Sequence, residues 1–201
     1  MKRKKNKFKV REFKDRVLIC CEGLTEKNYF SFFKEDVKAG KTVRVSVLQS
    51  GNSDCKGVVK EAVKKAKKEK FEKVFVVFDH DNQSNRKEAF ELARKNNFTV
   101  IFSSICFEYW YLLHFKRTTK VYSSEAHLES DLKKNNDMKN YQKNDKNHYN
   151  ILKDKTDIAI ENTQNLKIFC KENLSSTPIY NWNPYTNVDD LVSYILSQAK
   201  K

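Results

Sequence analysis

The chain has few of the residues that interrupt or crosslink regular structure. Its 201 residues include four glycines and two prolines, and neither G-x-x-x-x-G-K-[ST] nor G-x-G-x-x-G occurs. A loop that cradles phosphates with its backbone is therefore weakly supported. The five cysteines are odd in number and form no C-x-x-C pair, which argues against a disulfide framework and a zinc site. Reduced thiols are expected.

Long apolar runs are also missing. No stretch approaches the roughly 18 consecutive apolar residues that predict a membrane-spanning helix. The charged N-terminus is not followed by the apolar core of a signal peptide. These absences predict a protein of the cytoplasm with no membrane partner.

What the chain has in excess is positive charge. Lysine and arginine number 40 against 26 acidic residues, a net charge of +14. Met1 to Arg16 carries nine basic residues against two acidic ones, and Lys60 to Lys73 carries seven lysines against three glutamates. Such a surplus favours polyanionic partners, chiefly nucleic acid. The alternative is an ordinary protein that is rich in lysine throughout.

Apolar periodicity predicts an α/β fold. Four runs have the character of strands, and a segment with helical spacing follows each of the first three. This alternation is typical of a mostly parallel sheet, here four-stranded, with helices on both faces. The predicted strands are Arg16–Cys21, Thr42–Ser50, Val74–Phe78 and Phe98–Ser104, and the predicted helices are Leu24–Ala39, Lys56–Lys70 and Ser84–Asn96.

The C-terminal half has a different pattern. Cys106 to Phe115 is aromatic-rich and predicts a helix packed on the sheet, whereas Lys133 to Asn150 is polar and predicts a long loop or mobile excursion. Helices are predicted from about Ile151 to Asn173 and from Val188 onwards. The expected organisation is a basic flexible arm (1–15), an α/β core (16–120) and a helical part packed on that core (121–201).

Three carboxylates are predicted at one edge of the sheet. Glu22 follows the first strand, and Asp79 and Asp81 follow the third in FVVFDHDN. Residues two apart in a strand share a face, and ligands gather at the carboxyl ends of parallel strands. Singly, Glu22 could belong to a turn and either aspartate could cap a helix. Together, three carboxylates favour a divalent cation such as Mg²⁺.

These residues also carry a family resemblance. Glu22 in CEGLTEKNYF, followed by Asp79 and Asp81, resembles the two signatures of a Toprim domain. CEGLTEKNYF, SSICFEYWYLLHF and NPYTNVDDLV together are similar to the RloB-like family, small proteins found beside restriction-modification and phage-defence loci. The likeness runs from about Arg16 to the end of the chain.

The resemblance implies a nuclease with an Mg²⁺ or Mn²⁺ site, related to the overcoming-lysogenisation-defect nucleases and acting in phage defence or abortive infection. By position, Glu22, Asp79 and Asp81 would hold the metal, and Glu26 and Glu108 would be weaker ligands, although Glu108 could equally form the polar face of a core helix. Lys27 could assist at the phosphate or simply be solvated. The substrate could be DNA or RNA, including tRNA. An alternative is a non-catalytic or regulatory nucleic-acid-binding partner of a defence ATPase encoded nearby.

Overall fold

The computed structural model describes residues 15–38, 43–51, 54–80 and 85–199. The basic arm up to residue 14, the predicted helix-closing Gly40 and the candidate ligand Asp81 lie outside these ranges. Every structural statement below concerns the described residues.

A five-stranded sheet forms the centre of the molecule, with strand order β2-β1-β3-β4-β5. The first four strands are parallel to their neighbours, and the fifth runs antiparallel to β4. The prediction of four strands was therefore one short, because a strand of two residues has no periodicity to detect. The strands are β1 (Asp15–Cys21), β2 (Val43–Gln49), β3 (Lys73–Asp79), β4 (Thr99–Ser104) and β5 (Tyr185–Thr186).

Helices cover both faces of this sheet. In β1 the residues from Val17 to Cys21 are all inaccessible, and in β3 the residues from Val74 to Phe78 are at most 5% exposed. Consecutive residues of a strand point to opposite faces, so an unbroken buried run requires cover on both sides. The helices that alternate with these strands are α1 (Leu24–Asp36), α2 (Cys55–Lys68) and α3 (Arg86–Lys95).

The C-terminal half is helical, as predicted. All six residues of α4 (Glu108–Leu113) are buried, so this aromatic helix belongs to the core. An unpredicted helix, α5 (Glu125–Leu132), follows it. The remaining helices are α6 (His148–Leu152), α7 (Thr156–Leu174) and α8 (Val188–Ala199), with short 3₁₀ turns at Asn136–Met138, Lys153–Lys155 and Ile179–Asn181. No helix within the described ranges has the length and apolar character needed to cross a membrane.

The polar stretch 133–150 is mostly a long loop, which is one of its two predicted forms, but it is anchored to the rest of the molecule and is not a free excursion. Met138, Tyr141, His148 and Tyr149 are each at most 5% exposed, and the Tyr141 ring stacks on the His148 ring with a centroid distance of 4.5 Å. These side chains fasten the segment to the core at both ends. Between Tyr141 and His148, residues 142–147 form an exposed tip.

Candidate metal centre

Two of the predicted carboxylates meet where β1 and β3 end. The backbone N–H of Glu22 donates to the Val77 carbonyl at 2.9 Å, which extends the pairing of the two strands by one residue. The Glu22 carboxylate then accepts the backbone N–H of Asp79 at 3.2 Å. The helix-cap alternative for Asp79 is wrong, because the N-cap position of α3 is occupied by Asn85.

Glu26 joins them from the first turn of α1. This helix begins after Gly23, and Glu26 is its third residue. A Cβ at position 23 would lie 2.6 Å from Glu26 Oε2, so the carboxylate folds back over the helix start. The unpaired N–H groups of a helix N-terminus attract negative charge. The same placement would also serve as a helix cap.

Glu108 comes from the buried helix α4. The residue is 1% exposed, and its Oε1 accepts a hydrogen bond of 2.5 Å from the Tyr141 hydroxyl. Tyr141 belongs to the segment that sequence reasoning treated as a loop. A helix buried on all sides and a tyrosine from a distant segment therefore fix the direction of this carboxylate.

The four carboxylates line one cavity of about 220 Å³. Burial raises the pKa of Glu26 to about 8, and the negative charges of Glu108 and Glu22 add to this rise, although its own backbone N–H opposes it. The cavity is thus a place where negative charge is costly in the absence of a cation. The predicted ligands that it brings together are Glu22, Glu26, Asp79 and Glu108.

A lysine that sequence reasoning missed also reaches this cavity. Lys143 lines its wall, and its ammonium group forms an ion pair with Glu125 of α5. Burial opposes the charge of Lys143, but the hydrogen bond to Glu125 and the charge of Glu108 raise its pKa above the usual value. One lysine among forty basic residues gives no sequence signal, and only the fold reveals its position.

The neighbouring residue holds this lysine in place. Asn144 accepts hydrogen bonds from two side chains of α1, from Thr25 Oγ1 at 3.2 Å and from Asn28 Nδ2 at 3.0 Å. The exposed tip is therefore tied across the start of α1. Lys27, the lysine that the resemblance implied, is half-buried on α1, and Lys143 is the only lysine among the described residues lining the cavity.

Cys106, Glu108 and Glu125 form a group whose potential ligand atoms lie within 4.8 Å of one another. Burial raises the pKa of the Cys106 thiol well above its ordinary value, and the nearby charges of Glu108 and Asp79 strengthen the effect. A thiol must lose its proton to bind a metal. The four carboxylates that line the cavity outnumber this one thiol, and a donor set dominated by oxygen suits hard cations better than zinc.

One comparison with known proteins gave a match. The family model described as RloB-like protein matches residues 17–195. The searches of the curated proteins and of the solved structures each found no match. The matched range covers most of the chain, including Glu22, Asp79, Glu108 and Lys143, so this chain belongs to the family of RloB-like proteins.

Proposed function

We propose that this chain is a divalent-metal-dependent nuclease of the Toprim type, which hydrolyses phosphodiester bonds of DNA or RNA in defence against phage. The observation that carries the proposal is the convergence of four carboxylates on one cavity at the carboxyl edge of a mostly parallel sheet. Membership of the RloB-like family supports the defence role by resemblance.

The donor set suits Mg²⁺ or Mn²⁺. Both prefer oxygen ligands, and Mg²⁺ usually retains several waters. A cavity of about 220 Å³ can hold such a partly hydrated ion, since one water occupies about 30 Å³ in the liquid. Burial is the main cause of the raised pKa of Glu26, and the charges of Glu108 and Glu22 add to it; a divalent cation would offset both effects. Glu22, Asp79 and Asp81 would hold the metal, and Glu26 and Glu108 would complete the site.

The chain's own residues would prepare the reaction. When bound, divalent metals supply an activated water and stabilise the charge that develops on the phosphodiester oxygens. Glu22 is oriented by the Asp79 N–H and Glu108 by the Tyr141 hydroxyl, so these carboxylates are fixed before a ligand arrives. Lys143, nearly half exposed at the cavity, would contact the phosphate instead of Lys27.

The test compares cleavage by the wild type and by Glu22→Gln and Asp79→Asn variants. Each protein is incubated with Mn²⁺ or Mg²⁺ and with duplex DNA, single-stranded DNA and tRNA, and an EDTA sample serves as blank. We expect both variants to lose at least about 100-fold in rate, because changes even beyond the ligands cost 10- to 100-fold. The matched control is Glu172→Gln, an exposed glutamate on α7, which should retain full activity.

Far-UV circular dichroism and urea unfolding verify that each variant is folded. Equal cleavage by the wild type and both site variants would refute the proposal. The assay is repeated with the neighbouring ATPase that the resemblance implies. If the wild type binds Mn²⁺ and nucleic acid yet cuts nothing in either condition, the regulatory binding role replaces the nuclease.

A further inference from the structure

Three lysines surround one carboxylate on α5, the helix that begins with the Lys143 partner Glu125. Asp131 near the end of α5 is 7% exposed. Its Oδ2 accepts hydrogen bonds from Lys116 Nζ at 3.2 Å and Lys120 Nζ at 3.1 Å, and its Oδ1 accepts one from Lys134 Nζ at 3.0 Å. The Tyr122 hydroxyl also donates to Oδ2 at 2.5 Å. We call Lys116, Lys120 and Lys134 the lysine triad.

The lysine triad keeps a surplus of positive charge that remains accessible. One carboxylate neutralises one of the three ammonium groups. The triad side chains are 43%, 54% and 73% exposed, and each ammonium group has three N–H donors. Two of the groups bind the same oxygen, which holds like charges close together. An anion that bridged them would relieve that repulsion.

The arrangement also lowers the entropic cost of binding. Ordering a free lysine side chain on binding costs conformational entropy, and the triad is already partly ordered by Asp131. The Tyr122 ring restricts Lys120 further, since Lys120 Nζ lies 4.7 Å from the ring centroid. These three ammonium groups are therefore better prepared for phosphate oxygens than lysines that extend into solvent.

The lysine triad is connected to the candidate metal centre through α5. Glu125, the partner of Lys143, begins this helix, and Asp131 lies six residues later. Six residues of α-helix span about 9 Å, the rise of two to three nucleotides at 3.4 Å each. Lys133, beside the triad, lies 6.0 Å from the Tyr141 ring, whose hydroxyl binds Glu108.

The lysine-rich helix α2 is arranged differently, although the sequence makes it the more obvious basic surface. Lys56 and Lys65 form ion pairs with Glu88 and Glu69. Its exposed Lys60, Lys67 and Lys68 are not gathered on a common carboxylate. This helix therefore offers charge without the local order of the triad.

We infer that the lysine triad organised by Asp131 binds the phosphodiester backbone of the nucleic acid, a few nucleotides from the bond at the metal centre. This inference rests on the proposed function for the identity of the polyanion. Contacts with phosphates do not distinguish one base from another, so the triad would contribute affinity and position the nucleic acid without adding sequence specificity.

The test separates binding from cleavage by measuring affinity in EDTA, with Asp79→Asn as the background. Fluorescence anisotropy with labelled 20-mer single-stranded and duplex DNA and RNA is recorded from 50 to 300 mM KCl. The test variant carries Lys116→Gln, Lys120→Gln and Lys134→Gln. The control carries Lys60→Gln, Lys67→Gln and Lys68→Gln on α2, which removes the same charge.

We expect the log-log salt slope to become shallower by about 2 for single strands and about 2.7 for duplexes in the triad variant, because each phosphate contact contributes about 0.7 or 0.9. The α2 control should change little. An unchanged slope in the triad variant, or a change in the control of the same size or larger, would overturn the inference. If the triple variant does not fold, Lys134→Gln alone, at the most exposed position, should still reduce the slope by about 0.7 to 0.9.

The outcomes distinguish this inference from the proposed function. A wild type that cleaves while the triad variant keeps its salt slope contradicts only the triad's role. If the salt slope becomes shallower in the triad variant but the wild type cleaves nothing, only the proposed nuclease activity is contradicted.

Discussion

Replacing Glu26 with glutamine should remove a pH-dependent loss of stability from the metal-free protein. The carboxyl group is 3% exposed, and burial, together with the charges of Glu108 and Glu22, raises its pKa from 4.5 to about 8. In the unfolded chain the same group ionises near its ordinary value. Folding in EDTA at neutral pH therefore requires this carboxyl either to keep a proton or to be buried as an anion.

The direction of the effect follows from proton linkage. Below pH 4.5 the carboxyl is protonated in both states, and its contribution to stability is fully present. As the pH rises toward 8, the unfolded chain releases the proton first, so the free energy of unfolding falls by about 1.4 kcal/mol per pH unit. Over the whole window the loss reaches at most about 5 kcal/mol. Above pH 8 both states are ionised and the loss is complete.

Urea unfolding in EDTA at half-unit steps from pH 5 to 8.5 measures this effect. The informative quantity is the free energy of unfolding of Glu26→Gln minus that of the wild type, because other titrating groups cancel. This difference should increase steadily up to about pH 8 and then level off. Glu172→Gln, at an exposed position of α7, should give a flat difference. A flat difference for Glu26→Gln as well would refute the reasoning about the buried charge.

Two further substitutions test the contacts that support the site and the lysine triad. Tyr141→Phe should lower the free energy of unfolding by about 1–3 kcal/mol, because it removes the hydrogen bond to buried Glu108. The control is Tyr149→Phe: the Tyr149 hydroxyl binds an exposed aspartate, so its loss should cost less in the same urea assay. Equal losses in the two variants would contradict the argument. Asp131→Asn should destabilise the protein by a similar 1–3 kcal/mol at pH 7, because a tyrosine hydroxyl and three lysines hold the pKa of that carboxyl well below its usual range. The stability that depends on this depressed pKa is present above pH 4 and is lost progressively as the pH falls further, so the difference between wild type and variant should shrink with decreasing pH, and a constant difference would exclude the proposed cause.

The sheet was predictable because each long strand is an uninterrupted apolar run. Val74 to Phe78 can be recognised without any partner, and the helices between the strands have their own apolar spacing. The anchors of the segment 133–150 cannot be recognised in this way. Met138 and Tyr141 are isolated among lysines and asparagines, and Tyr141 is buried against Glu108 and Tyr111 of α4. A single aromatic residue in a polar stretch has no period to detect.

The residues of the candidate site were likewise predictable only in part. Glu22 and Asp79 could be expected to meet, since parallel strands bring their carboxyl ends to one edge, and Glu108 followed from the family resemblance. Lys143 and Glu125 could not be predicted, because their ion pair joins residues 18 apart across an unrecognised helix. Asp81, which the same reasoning favours, lies outside the described residues, and its role stays a prediction.

The charges around the cavity connect stability with the proposed chemistry. Four carboxylates line the cavity, whereas Lys143 is the lysine that reaches it, and the ammonium is already engaged by Glu125. A divalent cation would therefore bind the folded chain far better than the unfolded one. Binding at 100 times the dissociation constant adds about 2.7 kcal/mol to stability, and at neutral pH it would also displace the proton that Glu26 otherwise retains. Saturating Mn²⁺ should therefore remove the same pH dependence of the free energy of unfolding that Glu26→Gln removes. Adding Mn²⁺ to the Glu26→Gln variant should then change the slope of that free energy against pH very little.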